Sequence, residues 1–296
     1  MMISVLLYTL FLVVSTVLIC LSCTYRHPAP LLPFILLLLH YGLEHTRYVI
    51  SFFSHLSTLY LSVYWLAILL LSVPSISYCA RKKCKNTVIL RKSFHLVVLL
   101  MFAPPIIQRT NLEFIAVSSV SVLAIMVIVE TVRVCNLFPK FSAFVNKFFA
   151  PLLDQKDAKR TLVTSHMELL LAAVSAVWVN QAFPNSPFSW TESTRFLLCG
   201  LLTVGVGDSA AAIGGLNIGK PIKFPYSSKS LQGFISFIVS VLTILCIVSF
   251  VDTAAVIATI ASALTEVYVE RFDNIALPLV FAATLLICRT FLELQI

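Results

Sequence analysis

The sequence predicts an all-α integral membrane protein: a bundle of about ten transmembrane helices with its polar chemistry at the cytoplasmic face. Hydrophobic residues make up 59% of the 296 residues and charged residues 11%, whereas soluble chains are about 45–50% apolar and about 25% charged. Several apolar runs approach the roughly 20 residues that cross a bilayer. Because lipid cannot satisfy open backbone hydrogen bonds, these runs must be helices. No separate soluble domain is expected.

Apolar windows predict ten spans. The first run, Met2 to Cys23, has no basic segment before it and exceeds the apolar core of a signal peptide, about 7–15 residues. We therefore interpret it as a span, with cleavage as the alternative. The second predicted span is short and ends at Glu44-His45. The spans are residues 2–23, 30–43, 57–78, 93–108, 113–131, 163–182, 196–216, 232–251, 254–270 and 275–293.

The distribution of charge predicts which loops share a side of the membrane. The chain has 21 basic and 13 acidic residues, a net charge of +8, an excess typical of cytoplasmic loops rather than of nucleic-acid binding. The loop from Arg81 to Lys92 has six basic residues and no acidic one, which places it in the cytoplasm. Alternation puts residues 132–162 and 217–231 on the same side, and residues 183–194, without Lys or Arg, opposite. Within the first of these, Phe138 to Leu153 reads as an amphipathic surface helix.

One predicted helical face consists of small residues with a carboxylate at its start. Spacings of three or four residues place Asp208, Ala211, Gly215 and Gly219 on this face, just after Gly205 and Gly207. A seam between two packed membrane helices is one interpretation. The basic loop that follows favours a second interpretation, because a carboxylate for a metal, glycines for close approach and a lysine for phosphate are what phosphoryl transfer requires. That loop ends in Ser228-Lys229-Ser230-Leu231-Gln232-Gly233.

This pattern resembles the CTP-binding signature of dolichol kinases, in which the glycines are followed after eight residues by Lys-Lys-Thr-x-Glu-Gly. The sequence retains Lys229 and Gly233, and it has Ser228, Ser230 and Gln232 in place of the first Lys, the Thr and the Glu. Serine preserves the hydroxyl of threonine. The replacement of a lysine and a carboxylate predicts weaker phosphate or metal binding.

Four further stretches resemble the same family in the same order, over roughly residues 79–293. They divide the chain into N-terminal spans, 1–78, and a kinase-like catalytic domain, 79–296. Each motif also has a structural interpretation: membrane anchors, packing histidines, a local salt bridge, and a solvated turn of charged residues. The stretches are Arg91-Lys92-x-Phe94-His95, Glu130-x-x-Arg133, Asp154-x-x-Asp157 with Ser165-His166, and Glu266 with Asp273-Asn274.

The resemblance implies an enzyme of the endoplasmic reticulum membrane, facing the cytoplasm, that phosphorylates dolichol with CTP for protein glycosylation. It implies Mg²⁺ or a similar cation at Asp208 and phosphates on Lys229 and the glycine face. Further phosphate partners would be Arg91, Lys92 and Arg133, and the group that orients or deprotonates the alcohol would be Asp157, His166 or Glu266. The implied partners are CTP, a long polyprenol and the bilayer, with no nucleic acid.

Four other functions remain open from the sequence. The first two are another isoprenoid-alcohol kinase of the phytol type and a cytidylyltransferase that acts on phosphatidate. The long acidic signature of the cytidylyltransferase is not found, which disfavours it. The other two are a non-catalytic membrane protein that binds lipid, nucleotide or a partner subunit, and a transporter.

Overall fold

The computed structural model describes residues 54–82, 87–150, 163–182, 194–218, 222–269 and 272–293. Within these ranges the protein is helical, and the only β pairing is an isolated antiparallel bridge between Lys223 and Ser230. The predicted all-α class is confirmed. The predicted spans at residues 2–23 and 30–43 lie outside the described residues.

Ten α-helices and one π-helical segment follow one another along the described chain. The π-helical segment, Leu201–Asp208, joins α6 to α7. The α-helices are α1 (Leu56–Arg81), α2 (Thr87–Ile107), α3 (Leu112–Cys135), α4 (Pro139–Phe149), α5 (Ser165–Ala182), α6 (Thr194–Leu197), α7 (Ser209–Asn217), α8 (Leu231–Ile247), α9 (Thr253–Tyr268) and α10 (Asp273–Glu293).

Four of the described helices are long and apolar enough to cross a bilayer: α1, α2, α3 and α10. The helices α8 and α9 are apolar but shorter. This supports a multi-span membrane protein, while the count of ten spans stays a prediction. The domain boundary predicted after residue 78 falls inside α1 and likewise stays a prediction.

Local sequence signals explain where several helices begin and how they pack. The side chain of Ser230 accepts a hydrogen bond from the Gly233 N–H and caps α8, and that of Asp252 accepts from the Ala255 N–H and caps α9. Pro139 stands at the start of α4, where the missing N–H of proline carries no cost. The two capping side chains and the proline therefore mark the residues at which these three helices begin.

The core is centred on α5, whose residues Ala172, Val174 and Val177 are buried. The helix that continues from α6 approaches α5 so closely that a Cβ on Gly200 would lie 1.6 Å from the backbone oxygen of Ala172. Only glycine fits at this crossing. The outward faces of the helices are apolar, as a lipid-facing surface requires: Leu71 of α1, for example, is 74% exposed.

The helices run alternately up and down, so the bundle has two polar ends. At one end lie the start of α2, the end of α3, the start of α5, the loop before α8, and the junction of α9 with α10. We call it the cavity end, because a cavity opens there. The described parts of the three loops predicted to share a side all lie at this end.

The opposite end is held by a charged cluster. Arg195 of α6 forms an ion pair with Asp252, and Arg289 of α10 lies 3.8 Å from the same carboxylate. Nearby, the Nε of Arg109 donates a hydrogen bond to the Thr194 hydroxyl at 3.3 Å. These contacts join four separate segments of the chain.

Candidate active site

A cavity of about 390 Å³ lies between the helix ends at the cavity end. Its walls come from α2, α5, α7, α8, α9, α10, the end of the π-helical segment and the loop before α8. Eight of the residues lining it carry formal charges, four positive and four negative, so the cavity is polar although the bundle around it is apolar. The charged residues are Arg91, Lys92, Lys223, Lys229, Glu168, Asp208, Glu266 and Asp273.

Asp208 lies at the end of the π-helical segment and forms an ion pair with Lys92 of α2. Both side chains are largely buried, with 6% of Asp208 and 12% of Lys92 exposed. The Nδ1 of His95 lies 3.7 Å from the same carboxylate and donates to the Val204 backbone oxygen at 3.0 Å. A π-helical turn is often found at a functional site. Here it ends at the carboxylate that lines the cavity.

A second ion pair joins Lys229, in the loop before α8, to Glu266 of α9. The loop is fixed by the Ser227 hydroxyl, which donates to the Val267 oxygen at 2.6 Å and accepts from the Lys229 N–H at 3.1 Å. Burial lowers the pKa of the Lys229 ammonium group, but the charge of Glu266 and its hydrogen bond raise it by more. The pKa therefore lies above the usual lysine value, and Lys229 is a cation at neutral pH.

Small residues let α7 and α8 meet closely below this loop. A Cβ on Gly233 would lie 2.9 Å from the Ala211 oxygen, and a Cβ on Gly215 would lie 2.9 Å from the Ser230 hydroxyl. The Gln232 side chain accepts from the Ile222 N–H at 3.0 Å, which ties the start of the loop to α8. The backbones thereby come together beside Lys229.

Curated relatives of this chain are dolichol kinases. It is 30% identical to the human dolichol kinase over 239 residues, 75% of this chain and 43% of the relative. It is 26% identical to dolichol kinase EVAN of Arabidopsis thaliana over 249 residues, 79% of this chain and 41% of the relative. The Saccharomyces cerevisiae dolichol kinase is 29% identical over 192 residues, 65% of this chain and 33% of the relative.

The chain belongs to the dolichol kinase family. It spans less than half the length of each of these three relatives. No protein-family model matches the sequence, and no solved structure is detectably similar. The resemblance read from the sequence motifs is thus confirmed at the level of the family.

The structure brings many of the motif residues of the dolichol kinase family into the cavity. Three separate motifs meet there, although more than a hundred residues separate the first from the second. The predicted residues that line the cavity are Arg91, Lys92, Asp208, Ala211, Gly215, Ser228, Lys229, Ser230, Gly233, Glu266, Asp273 and Asn274. Their roles stay predictions, and their proximity is what the predicted site requires.

Other predicted residues lie elsewhere in the fold. A Cβ on Gly205 would contact Leu99, and one on Gly207 would lie 2.6 Å from the Phe237 ring. These two glycines therefore serve helix packing, the first of the two interpretations given above. The imidazole of His166 stacks on the Phe149 ring at 5.2 Å, away from the cavity lining. Gly219, Asp154 and Asp157 lie outside the described residues.

Glu130 and Arg133 form a structural clamp outside the cavity lining. The guanidinium group of Arg133 donates two hydrogen bonds of 2.7 Å to the Glu130 carboxylate and one of 3.0 Å to Asn146 of α4. Glu130 also accepts the Val163 N–H at 2.6 Å. The pair thus fixes α4 and the chain just before α5 against α3, which fits the salt-bridge interpretation of this motif.

Sequence reasoning missed one buried charge of the cavity, Glu168. It lies on the first turn of α5, is 7% exposed and lines the cavity. The Thr164 hydroxyl donates a hydrogen bond of 2.6 Å to it. The signal was present, because an acidic residue inside a predicted membrane span is a functional candidate by default. Glu168 belongs to none of the recognised motifs, which is why it escaped notice.

The cavity lining includes oxygen atoms of the kind that bind Mg²⁺. Among the residues that the structure describes, no group of three or more His, Cys, Asp or Glu side chains is arranged to hold a metal. Mg²⁺ is usually held by one or two carboxylates together with substrate phosphates. The oxygens of Asp208, Asp273 and Asn274 line the same cavity as the cations. Oxygen ligands and positively charged side chains therefore line the same cavity.

Proposed function

We propose that this protein is a dolichol kinase, which transfers the γ-phosphoryl group of CTP to dolichol and yields dolichyl phosphate and CDP. The observation that carries the proposal is the meeting of four cations with four carboxylates in one cavity at the end of a membrane helix bundle. The names of the relatives supply the substrate class. Such an enzyme must admit a soluble polyanion and the polar end of a very apolar lipid, and a cavity at a helix end does both.

The residues of this chain would bind the nucleotide mainly through charge. Lys229 and Lys92 are placed to bind phosphate oxygens, with Arg91 and Lys223 lining the same space. Asp208, assisted by Asp273 and Asn274, would hold Mg²⁺, which neutralises phosphate charge when bound. Phosphoryl transfer needs chiefly positioning and charge stabilisation, and these side chains supply both.

The two ion pairs explain how the cavity stays stable before the substrates bind. A buried charge is costly unless it is paired, and Lys92 with Asp208 and Lys229 with Glu266 satisfy each other. Triphosphate oxygens can replace the carboxylates as partners of the two lysines. Binding of the nucleotide with Mg²⁺ would thus pair the two lysines with phosphate oxygens and Asp208 with the metal ion.

We further propose that the chain has ten spans in the endoplasmic reticulum membrane, that its cavity end faces the cytoplasm, and that its product serves protein glycosylation. The six basic residues between Arg81 and Lys92 support this orientation. Cysteine labelling in sealed microsomes tests it. A cysteine in place of Lys223 must react with an impermeant reagent from outside, and protection of that position would contradict the proposal.

The test of function is transfer of labelled γ-phosphate from CTP to dolichol by purified protein in detergent with Mg²⁺. Asp208→Asn should abolish transfer, while Asp252→Asn, a matched change at the opposite end that retains a capping side chain, should not. Dolichol and phytol are compared as acceptors to separate the dolichol kinase from the phytol-type alternative. Binding of CTP without transfer would contradict the proposal and favour a non-catalytic nucleotide-binding protein.

The serine at position 228 gives that non-catalytic alternative a concrete basis. Ser228 lines the cavity where the family signature has a lysine, so one phosphate-binding charge is missing. Lys223 lines the same cavity and offers a charge in its place. Ser228→Lys should lower the KM for CTP by at most about one to two decades, the value of a charge-assisted contact of about 1.5–3 kcal/mol, and by less if Lys223 already supplies the charge. An inactive protein that this substitution activates would establish the non-catalytic interpretation.

A further inference from the structure

The acceptor alcohol needs a group that orients its hydroxyl and takes up its proton. The sequence motifs offered Asp157, His166 and Glu266 for this role. His166 is stacked on an aromatic ring away from the cavity lining, Glu266 is paired with Lys229, and Asp157 lies outside the described residues. None of these three candidates is therefore a described, cavity-lining group that lacks a lysine partner.

Glu168 differs from the two ion-paired carboxylates that line the cavity, and it is not among the residues assigned above to Mg²⁺. Asp208 and Glu266 are each ion-paired with a lysine, and Asp273 accepts the backbone N–H of Asn274 at 2.9 Å. Glu168 is bonded to a neutral hydroxyl, that of Thr164, and within the described parts of the chain it forms no ion pair.

The position of Glu168 is also well defined. It is 7% exposed and lies on the first turn of α5, a helix buried in the core. The Thr164 hydroxyl can donate to one carboxylate oxygen only, so lone pairs remain for a second donor. A buried carboxylate with spare acceptor capacity that faces a cavity is suited to receive the hydroxyl of a substrate.

We propose that Glu168 binds the hydroxyl of the acceptor lipid and accepts its proton, an inference that rests on the kinase function proposed above. The alcohol oxygen forms a bond to the γ-phosphorus of CTP. The bond between that phosphorus and the oxygen that bridges the β- and γ-phosphorus atoms breaks, and CDP leaves. The alcohol proton passes to a carboxylate oxygen of Glu168 and from there to solvent. No oxidant or further reactant is needed.

The decisive variant is Glu168→Gln, which keeps the shape and the acceptor for Thr164 but removes the base. Removal of a general base costs about 10²–10⁴-fold. We therefore expect Glu168→Gln to lower kcat by at least about 100-fold, the lower end of that range. CTP affinity, measured by titration calorimetry without acceptor, should stay unchanged. The control is Glu113→Gln, the same change on the first turn of α3 at the opposite end, which should leave kcat unchanged.

A second readout separates base catalysis from a structural role. An acceptor analogue with two fluorines on the carbon next to the hydroxyl-bearing carbon has a more acidic hydroxyl and depends less on a base. The loss caused by Glu168→Gln should therefore shrink with this analogue, whereas a packing defect would cost the same with either acceptor. If Glu168→Gln does not fold, Glu168→Asp takes its place, and a loss that the fluorinated acceptor does not relieve overturns the assignment.

The outcomes distinguish the two proposals. If the unmodified protein transfers phosphate and Glu168→Gln retains its kcat, the role of Glu168 is refuted and the kinase function stands. If the unmodified protein binds CTP but transfers nothing to either acceptor, both proposals fall. A selective loss of kcat that the fluorinated acceptor relieves supports both.

Discussion

Replacing Lys92 by methionine tests whether the charges of the cavity hold one another in the folded protein. The change removes the cation that pairs with Asp208 and leaves a side chain of similar length. Only 6% of the Asp208 side chain is exposed. The nearby His95 does not replace the lysine, because its Nδ1 already donates to the Val204 oxygen. Lys92→Met therefore leaves a buried carboxylate without its main partner.

The expected cost follows from the burial of both partners. Removal of one member of a buried ion pair destabilises a protein by about 3–5 kcal/mol, whereas apolar or neutral replacement of both members is often nearly neutral. We expect Lys92→Met to lower the free energy of unfolding by about that amount. The double variant Lys92→Met/Asp208→Asn should recover most of the loss, because it contains no isolated charge.

Unfolding in detergent micelles, followed by tryptophan fluorescence against denaturant, measures these differences. The exposed Lys147 on α4 supplies the control, since Lys147→Met should change stability by less than about 0.5 kcal/mol. The double variant should be folded yet inactive in the transfer assay, which separates stability from function. The reasoning is refuted if Lys92→Met is as stable as the unmodified protein, or if the double variant is no more stable than Lys92→Met.

Three further predictions address other contacts. Gly200→Ala should lower the unfolding free energy by about 1–3 kcal/mol or more, because the added Cβ would meet the Ala172 oxygen at 1.6 Å; an unchanged denaturation midpoint would contradict the close crossing. Lys229→Ala should weaken CTP binding by about one to two decades in calorimetry, and equal affinity would remove Lys229 from the nucleotide site. Burial raises the pKa of Asp252, but the Ala255 N–H and Arg195 lower it by more, to below the usual value. Its stabilising contribution should therefore be complete at neutral pH and be lost as the pH falls through this lowered pKa. Melting curves from pH 7 into the acid range should show a smaller decline for Asp252→Asn than for the unmodified protein.

The sequence predicts helix positions well wherever an apolar run ends at a clear polar signal. The span predicted at residues 254–270 is α9, Thr253–Tyr268, and its start is set by the Asp252 cap. The resemblance to the family likewise indicates that Lys229 and Glu266 act in one place, and the structure pairs them. Local patterns and a known signature thus account for much of the bundle.

Long-range partners are what the sequence does not reveal. From the sequence, Lys92 is as consistent with a membrane anchor as with a phosphate contact, and only the fold shows that it pairs with Asp208. Glu130 and Arg133 read as a local pair or a phosphate contact, and only the fold shows that they hold α4 and the chain before α5. Glu168 stands alone in an apolar run, so that no periodic pattern marks it. Each of these depends on tertiary packing, which one-dimensional spacing does not encode.

The separation of Lys92 from Asp208 has a consequence for biogenesis. The two residues are 116 positions apart, so Lys92 reaches the membrane long before the carboxylate that neutralises it has been synthesised. Until then the lysine has no carboxylate partner, and its ammonium group must reach the membrane interface to stay solvated. Chains that end before Asp208 would keep this exposed charge permanently. Chains truncated before Asp208 should accordingly be degraded faster than full-length chains, a difference that pulse-chase labelling measures.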